Sequence, residues 1–283
     1  MFRKNLLILY AASLAFALAA FFIFKKISFY SLYEKELNLA AVGIYSWIPG
    51  ILAILFAKKE NIELRLITKA GKPFLFAALM PLIVSVLGVL FSLPFSSFSK
   101  ERLLEAAQVY HLCLPSPTLN MTLFILGLYF LSFLTSISFN FFFNLGQELF
   151  WRGYVWEKLI SFGFAKRCLI SGVLFSLWFI PLIIFFGHNY PFQKFWGIFL
   201  MIGFSMALTP VLCFLKNREN SVMSCTLFYS MIVTFCPINV VFFPGGNPLL
   251  IAPVGIAGIL SLASIAWPIV YIMEKRESKA ANI

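Results

Sequence analysis

An all-α fold is predicted for this chain: a polytopic bundle of about eight transmembrane helices with a cavity toward the inner leaflet. Three observations predict it. The 283 residues are 61% hydrophobic and 18% aromatic, with a mean hydropathy of +0.92, far above a soluble domain. The apolar residues fall in runs near the ~20 residues that a helix needs to cross a bilayer. The basic residues are dispersed among the segments between those runs, where they bias orientation.

Taken in order, the expected spans are 5–24, 39–57, 73–95, 121–146, 168–187, 195–215, 221–243 and 248–273. The first has a basic start and is followed by Lys25-Lys26 with no small-residue cleavage site, so it reads as a retained helix. Prolines fall within several spans (Pro49, Pro81, Pro181, Pro210, Pro237, Pro253, Pro268), which membrane helices tolerate. Gly43 and Gly50 in the second span, and Gly255 and Gly258 in the last, permit close helix approach. Residues 154–167 set apolar side chains (Trp156, Leu159, Ile160, Phe162) beside basic ones (Lys158, Lys166, Arg167) and read as an amphipathic segment along the inner interface. A short helix is expected around Lys100–Gln108, and 274–279 reads as a solvated tail. No internal repeat is evident, so the chain is read as one transmembrane domain over 1–283.

With the N-terminus inside, 16 Lys and Arg fall on the inner side and 6 on the outer, which places both termini in the cytoplasm. The net charge of +11 suits an anionic membrane surface; it is spread among short loops and does not imply nucleic acid. Membrane lipids are thus the first expected partners. All 11 acidic residues are Glu, which excludes an aspartyl intramembrane protease. The five cysteines show no CxxC spacing, and four of them read as buried thiols. Ser205 and Ser230 have no histidine at matching depth, and Cys213, Cys225 and Cys236 likewise lack a base. His111 and His188 fall in or beside loops on the side opposite Glu148, so neither is expected to serve it.

The chemistry concentrates at Gln147-Glu148-Leu149-Phe150-Trp151-Arg152-Gly153-Tyr154. Glu148 lies against a long apolar run, where an ionisable group is costly and usually paired or functional. Arg152, four residues on, shares its helical face. This segment resembles the first motif, Glu-Glu-x-x-x-Arg, of the CPBP family. These are the CAAX-protease-like or Abi intramembrane metalloproteases, also called type II CAAX prenyl endopeptidases. Ser46-Trp47-Ile48-Pro49 resembles the family's early Trp-x-Pro element. Gly172 to Pro181 is similar to the second motif, where Trp-His-x-Pro is common. Asn220-Ser221-Val222 and the helix after it resemble the third, which normally carries His-x-x-x-Asn. The CPBP-like core is about 120–240.

The resemblance implies paired glutamates and two histidines that activate water at a metal, in a bacterial inner membrane. At the matching positions this chain has Gln147, Phe179, Tyr229 and Val233, while Glu148, Arg152, Trp178 and Pro181 remain. Without those histidines no metal-ligand set can be assembled from the matching positions. The expectation is therefore a pseudoenzyme without a cofactor that binds or scaffolds another membrane protein or a lipidated peptide. Tyr229 is expected to hydrogen-bond Gln147 or Glu148 near the inner face, with Arg152 partnering Glu148. Two alternatives stand: an active metalloprotease, with zinc at a relocated site, that cleaves prenylated or membrane peptides; and a small transporter or lipid-handling protein.

Overall fold

The computed structural model describes residues 1–26, 33–66, 71–99, 101, 117–243 and 245–281. His111, Cys113 and, apart from Glu101, the short helix expected around Lys100–Gln108 lie outside the described residues. Among the described residues every regular element is helical: α1 (Phe2–Lys26), α2 (Glu34–Glu60), α3 (Lys72–Ser92), α4 (Pro117–Ile137), α5 (Phe139–Glu148), a π-helical segment (Leu149–Val155), α6 (Trp156–Lys158), α7 (Phe164–Phe186), α8 (Lys194–Glu219), α9 (Val222–Phe235), α10 (Asn239–Phe242) and α11 (Ile256–Ala281). Eight helices among the described residues are long and apolar enough to cross a membrane, as the run lengths predict. The chain is an integral, multi-pass membrane protein. Apolar runs become helices here because hydrocarbon offers no water to backbone N–H and C=O groups, and a helix satisfies them within the segment.

The span that begins with α9 is central: 67% of its most apolar stretch is buried inside the protein, against 11% for α4, which faces outward. α9 packs against α3, α4, α5 and α8; α2 lies along α5; α7, α8 and α11 form a layer beside them. Glu60 fastens one end of the bundle. It accepts from Asn5 Nδ2 (2.6 Å) and the Tyr154 hydroxyl (3.0 Å) and pairs with Lys158, joining α1, α2 and the π segment. This end, which carries both termini, is called the terminal side below.

Four boundaries differ from expectation. The run 121–146 breaks at Ser138 (φ −113°, ψ −99°). No proline is involved; the Ser136 and Ser138 hydroxyls instead donate to carbonyls four residues back, each at 2.6 Å, which weakens the helical ladder and bends it. α11 starts at Ile256 rather than 248, because Asn247 nucleates turns: its side chain accepts from Leu249 N (3.0 Å) and its carbonyl from Leu250 N (2.9 Å). Of the expected interfacial segment 154–167, residues 154–156 are buried in the bundle, whereas most of 157–167 is exposed or half-buried. The 274–279 segment is mostly exposed, as expected of a solvated tail, but it is helical. Residues 274–279 are the last turns of α11, where Glu277 accepts from Phe164 N (2.8 Å) and Glu274 from Ala165 N (2.7 Å). Two carboxylates thus satisfy free N–H groups at the positive end of the α7 dipole.

Candidate functional site

Glu148 and Arg152 meet as their spacing predicts. Arg152 Nη1 donates to Glu148 Oε1 at 3.0 Å, and both side chains are 0% exposed. Arg152 Nη2 also donates to Thr209 Oγ1 at 3.1 Å, and its guanidinium lies over the Phe175 ring at 4.9 Å. Glu148 Oε2 and Arg152 Nε have no hydrogen-bond partner among the described residues. The depth differs from expectation. Gly146, two residues before Glu148, abuts Ser46 and Trp47, midway along α2. The pair therefore lies in the middle of the bundle, not near the terminal-side face. The reason is that α5 does not end with the apolar run; it passes into the π segment, which fills the terminal half with Phe150, Trp151, Tyr154 and Val155. π-helical turns are frequent at functional sites.

The motif positions Gln147, Phe179, Tyr229 and Val233 all line one cavity of about 520 Å³. None of the four faces away from it, but Glu148, expected to share the cavity with them, is not part of its lining. The cavity is walled mainly by apolar side chains, with Ser46, Asn140, Asn144, Gln147, His188 and Tyr229 as polar points. Its side is a correction. Leu39 to Ser46 of α2, Met201 and Phe204 of α8, and Pro237 and Val254 beyond α9 all belong to the half remote from the termini. A cavity toward the inner leaflet was expected on the terminal side, the half that the π segment occupies.

The expected Tyr229 hydrogen bond is not present among the described residues. Gln147 Nε2 donates instead to Ser46 Oγ (3.0 Å) and Asn144 Oδ1 (3.2 Å), while Asn144 Nδ2 reaches Ser230 Oγ (3.1 Å). Tyr229 packs edge-on against Phe175, its ring centroid 5.9 Å away. Ser46 and Asn144 lie closer to Gln147 and already take its two amide protons. Gln147 Oε1 remains buried without a partner.

His188 lies beside a loop remote from Glu148, as expected, but its side chain also reaches the cavity. Gly187 ends α7 with φ +64°, and His188 N donates to Leu182 O at 3.3 Å, a left-handed helix cap that turns the chain back. The imidazole then stacks on Phe179, centroids 5.9 Å apart and 5° from parallel, and joins the cavity wall. His188 therefore shares a cavity with the motif positions, although its loop is at the remote end. Burial pulls its pKa down to about 4, so the ring is neutral at pH 7. The signal was Phe186-Gly187-His188, a helix-terminating glycine that redirects the next side chain. Asn144, Ser230 and Thr209 carried no such signal in an apolar sequence.

The retained Trp178 is an anchor. Its Nε1 donates to Ser13 Oγ (2.9 Å), and its carbonyl accepts from the Tyr45 hydroxyl (2.6 Å), which fastens α1 and α2 to α7. Cys168, Cys213, Cys225 and Cys236 are buried free thiols, as their settings predict.

Residues 128–235 match the family model described as type II CAAX prenyl endopeptidase Rce1-like, in agreement with the resemblance drawn from the motifs. The match spans Gln147, Glu148, Arg152, Phe179, Tyr229 and Val233. No curated protein matches the chain.

Proposed function

From that Rce1-like core, we propose that the protein is a catalytically degenerate relative of the CAAX endopeptidases, one that holds a lipidated peptide or another membrane protein's segment. The observation that carries this is the convergence of Gln147, Phe179, Tyr229 and Val233 on one cavity. None of these side chains has an imidazole or a carboxylate. A catalytic zinc takes three protein ligands, usually histidine and carboxylate. Among the described residues no three His, Cys, Asp or Glu are grouped to hold a metal, and Glu148 is engaged by Arg152. Zinc does not fit this set of residues, and no step is derived through it. An apolar wall with a few amide and hydroxyl groups suits a prenyl or acyl chain, or an apolar helix with one polar group.

The test is a binding and cleavage assay with a farnesylated peptide in lipid nanodiscs, alongside metal analysis. Binding without cleavage is expected, with binding lost in the cavity-filling variant Val233→Trp. The combined variant Gln147→Glu, Phe179→His, Tyr229→His, Val233→Asn should acquire zinc that the wild type lacks. Cleavage by the wild type that disappears in Glu148→Ala would overturn the degenerate reading. One observation favours an active alternative: His188 brings a neutral imidazole into the same cavity. In that case His188→Ala would abolish the cleavage.

For orientation, the 16:6 distribution of basic residues supports both termini in the cytoplasm of a bacterial cell. The cavity would then open in the outer half of the membrane. Reporter fusions at Ile283 and Ser97 should report cytoplasmic and external locations respectively; an external signal at Ile283 would reverse the assignment.

A further inference from the structure

A second, unrelated pocket of about 280 Å³ lies at the terminal side, lined by Arg65, Arg167, Lys216, Glu157, Trp156 and Asn220 among others. Three cations from three separate segments meet there with the Glu157 carboxylate, and Arg65 at the rim also pairs with Glu63 (3.2 Å), which leaves one formal positive charge in excess, on the buried Lys216 and Arg167 side. Two of the cations are buried: Lys216 is 1% exposed and Arg167 8%. Neither takes part in any ion pair among the described residues. Lys216 Nζ has only a 3.4 Å contact to Asn220 O. Arg167 Nη2 donates to the Ile160 and Phe162 carbonyls (3.0 and 2.9 Å), and its guanidinium stacks 4.2 Å over Trp156, yet Nε is left without a partner. A buried cation with no counter-charge is costly, so such a pair is expected where an anion completes it.

The pocket is also built in advance. The Arg65 carbonyl accepts from Val222 N (3.2 Å), and the Ser221 hydroxyl donates to Leu66 O (2.9 Å). These bonds fix the irregular segment after α2 against the start of α9 and hold Arg65 at the rim. Trp156 and the two carbonyls hold the Arg167 guanidinium in one plane. A planar guanidinium and a lysine ammonium, aimed from different sides, match the several oxygens of a phosphoryl group better than the two coplanar oxygens of a carboxylate. The pocket lies where α7 starts and α8 ends, at headgroup depth for helices of this length.

We propose that this pocket binds a phosphate-bearing anion, with Lys216 and Arg167 as the buried contacts and Arg65 closing the rim. The ligand is either the phosphomonoester headgroup of an anionic lipid or a free phosphate. The inference does not depend on what the larger cavity holds.

The test uses the full chain in phosphatidylcholine nanodiscs, with thermal unfolding as the readout. One arm titrates inorganic phosphate against chloride at matched ionic strength. The other replaces part of the phosphatidylcholine with phosphatidic acid. The wild type should be stabilised in at least one arm. A response to phosphatidic acid alone assigns the site to a headgroup, and a response to inorganic phosphate assigns it to small phosphates. Lys216→Met should weaken the apparent affinity about tenfold or more. Arg65→Gln, a half-exposed rim position that leaves the interior packing untouched, should weaken it too, and it carries the test if Lys216→Met fails to fold. No stabilisation of the wild type in either arm, or equal stabilisation of wild type and the folded variants, would overturn the proposal.

Discussion

Glu148→Gln and Arg152→Gln should each destabilise the protein strongly, by about 3–5 kcal/mol if breaking this pair behaves like other buried pairs. Both side chains are 0% exposed and meet at 3.0 Å, so neither charge has water to return to when its partner goes. Arg152 alone would keep Thr209 and the Phe175 face, but no negative charge. Glu148 alone would keep nothing among the described residues, since its second oxygen is already unpartnered. The double variant Glu148→Gln, Arg152→Met removes both charges and should be more stable than either single variant, because no lone buried charge remains. Thermal unfolding in one detergent would measure all three. Singles that unfold with the wild type, or a double variant whose loss equals the sum of the singles, would show that the pair does not act as a unit. A motif pair retained for packing predicts loss of fold together with loss of the proposed peptide binding.

How far the sequence reached can be argued from particular residues. Eight spans were legible because length and apolarity are the membrane's own criteria for a helix. The Glu148–Arg152 contact was legible because a four-residue spacing fixes a shared face. That Gln147, Phe179, Tyr229 and Val233 line one cavity followed from motif context, not from periodicity. Helices that are apolar on all sides carry almost no facing signal, so hydropathy could not say that Gln147 would choose Ser46 and Asn144 over Tyr229. Depth was illegible for the same reason: an apolar run says where a span is, not that a buried π segment extends it beyond 146 and moves the cavity to the other half. The charges of 274–279 were rightly read as solvated, but nothing local reveals that Phe164 and Ala165, more than a hundred residues away, take acceptors from them. The loop placement of His188, remote from Glu148, was legible; that its ring reaches the cavity was not, because it turns on one dihedral angle, that of Gly187.

The contact between α2 and α5 should be as intolerant as the ion pair, for a reason of shape alone. A Cβ on Gly50 would lie 2.7 Å from Gly146 Cα and 2.9 Å from Gly146 O; one on Gly146 would lie 2.7 Å from Ser46 O and 3.0 Å from Trp47 Cα. The nearest of these atoms are backbone, so no flexible side chain can give way, and relief requires the two helices to separate. Alanine is the better helix former by ~1 kcal/mol, which works in the opposite direction. Overpacking typically costs about 1–3 kcal/mol, and more where only backbone can move, so the steric effect should win. Separation would also pull Ser46 away from Gln147 and lift Val42 and Gly43 off the cavity wall, so the proposed peptide binding should fall with stability. Gly127 supplies the control, because a Cβ there meets nothing within 4 Å. Gly127→Ala should be neutral or mildly stabilising, whereas Gly50→Ala and Gly146→Ala should each lower the unfolding temperature in the same detergent. If all three variants unfold alike, the close approach of α2 and α5 does not set the cavity's shape.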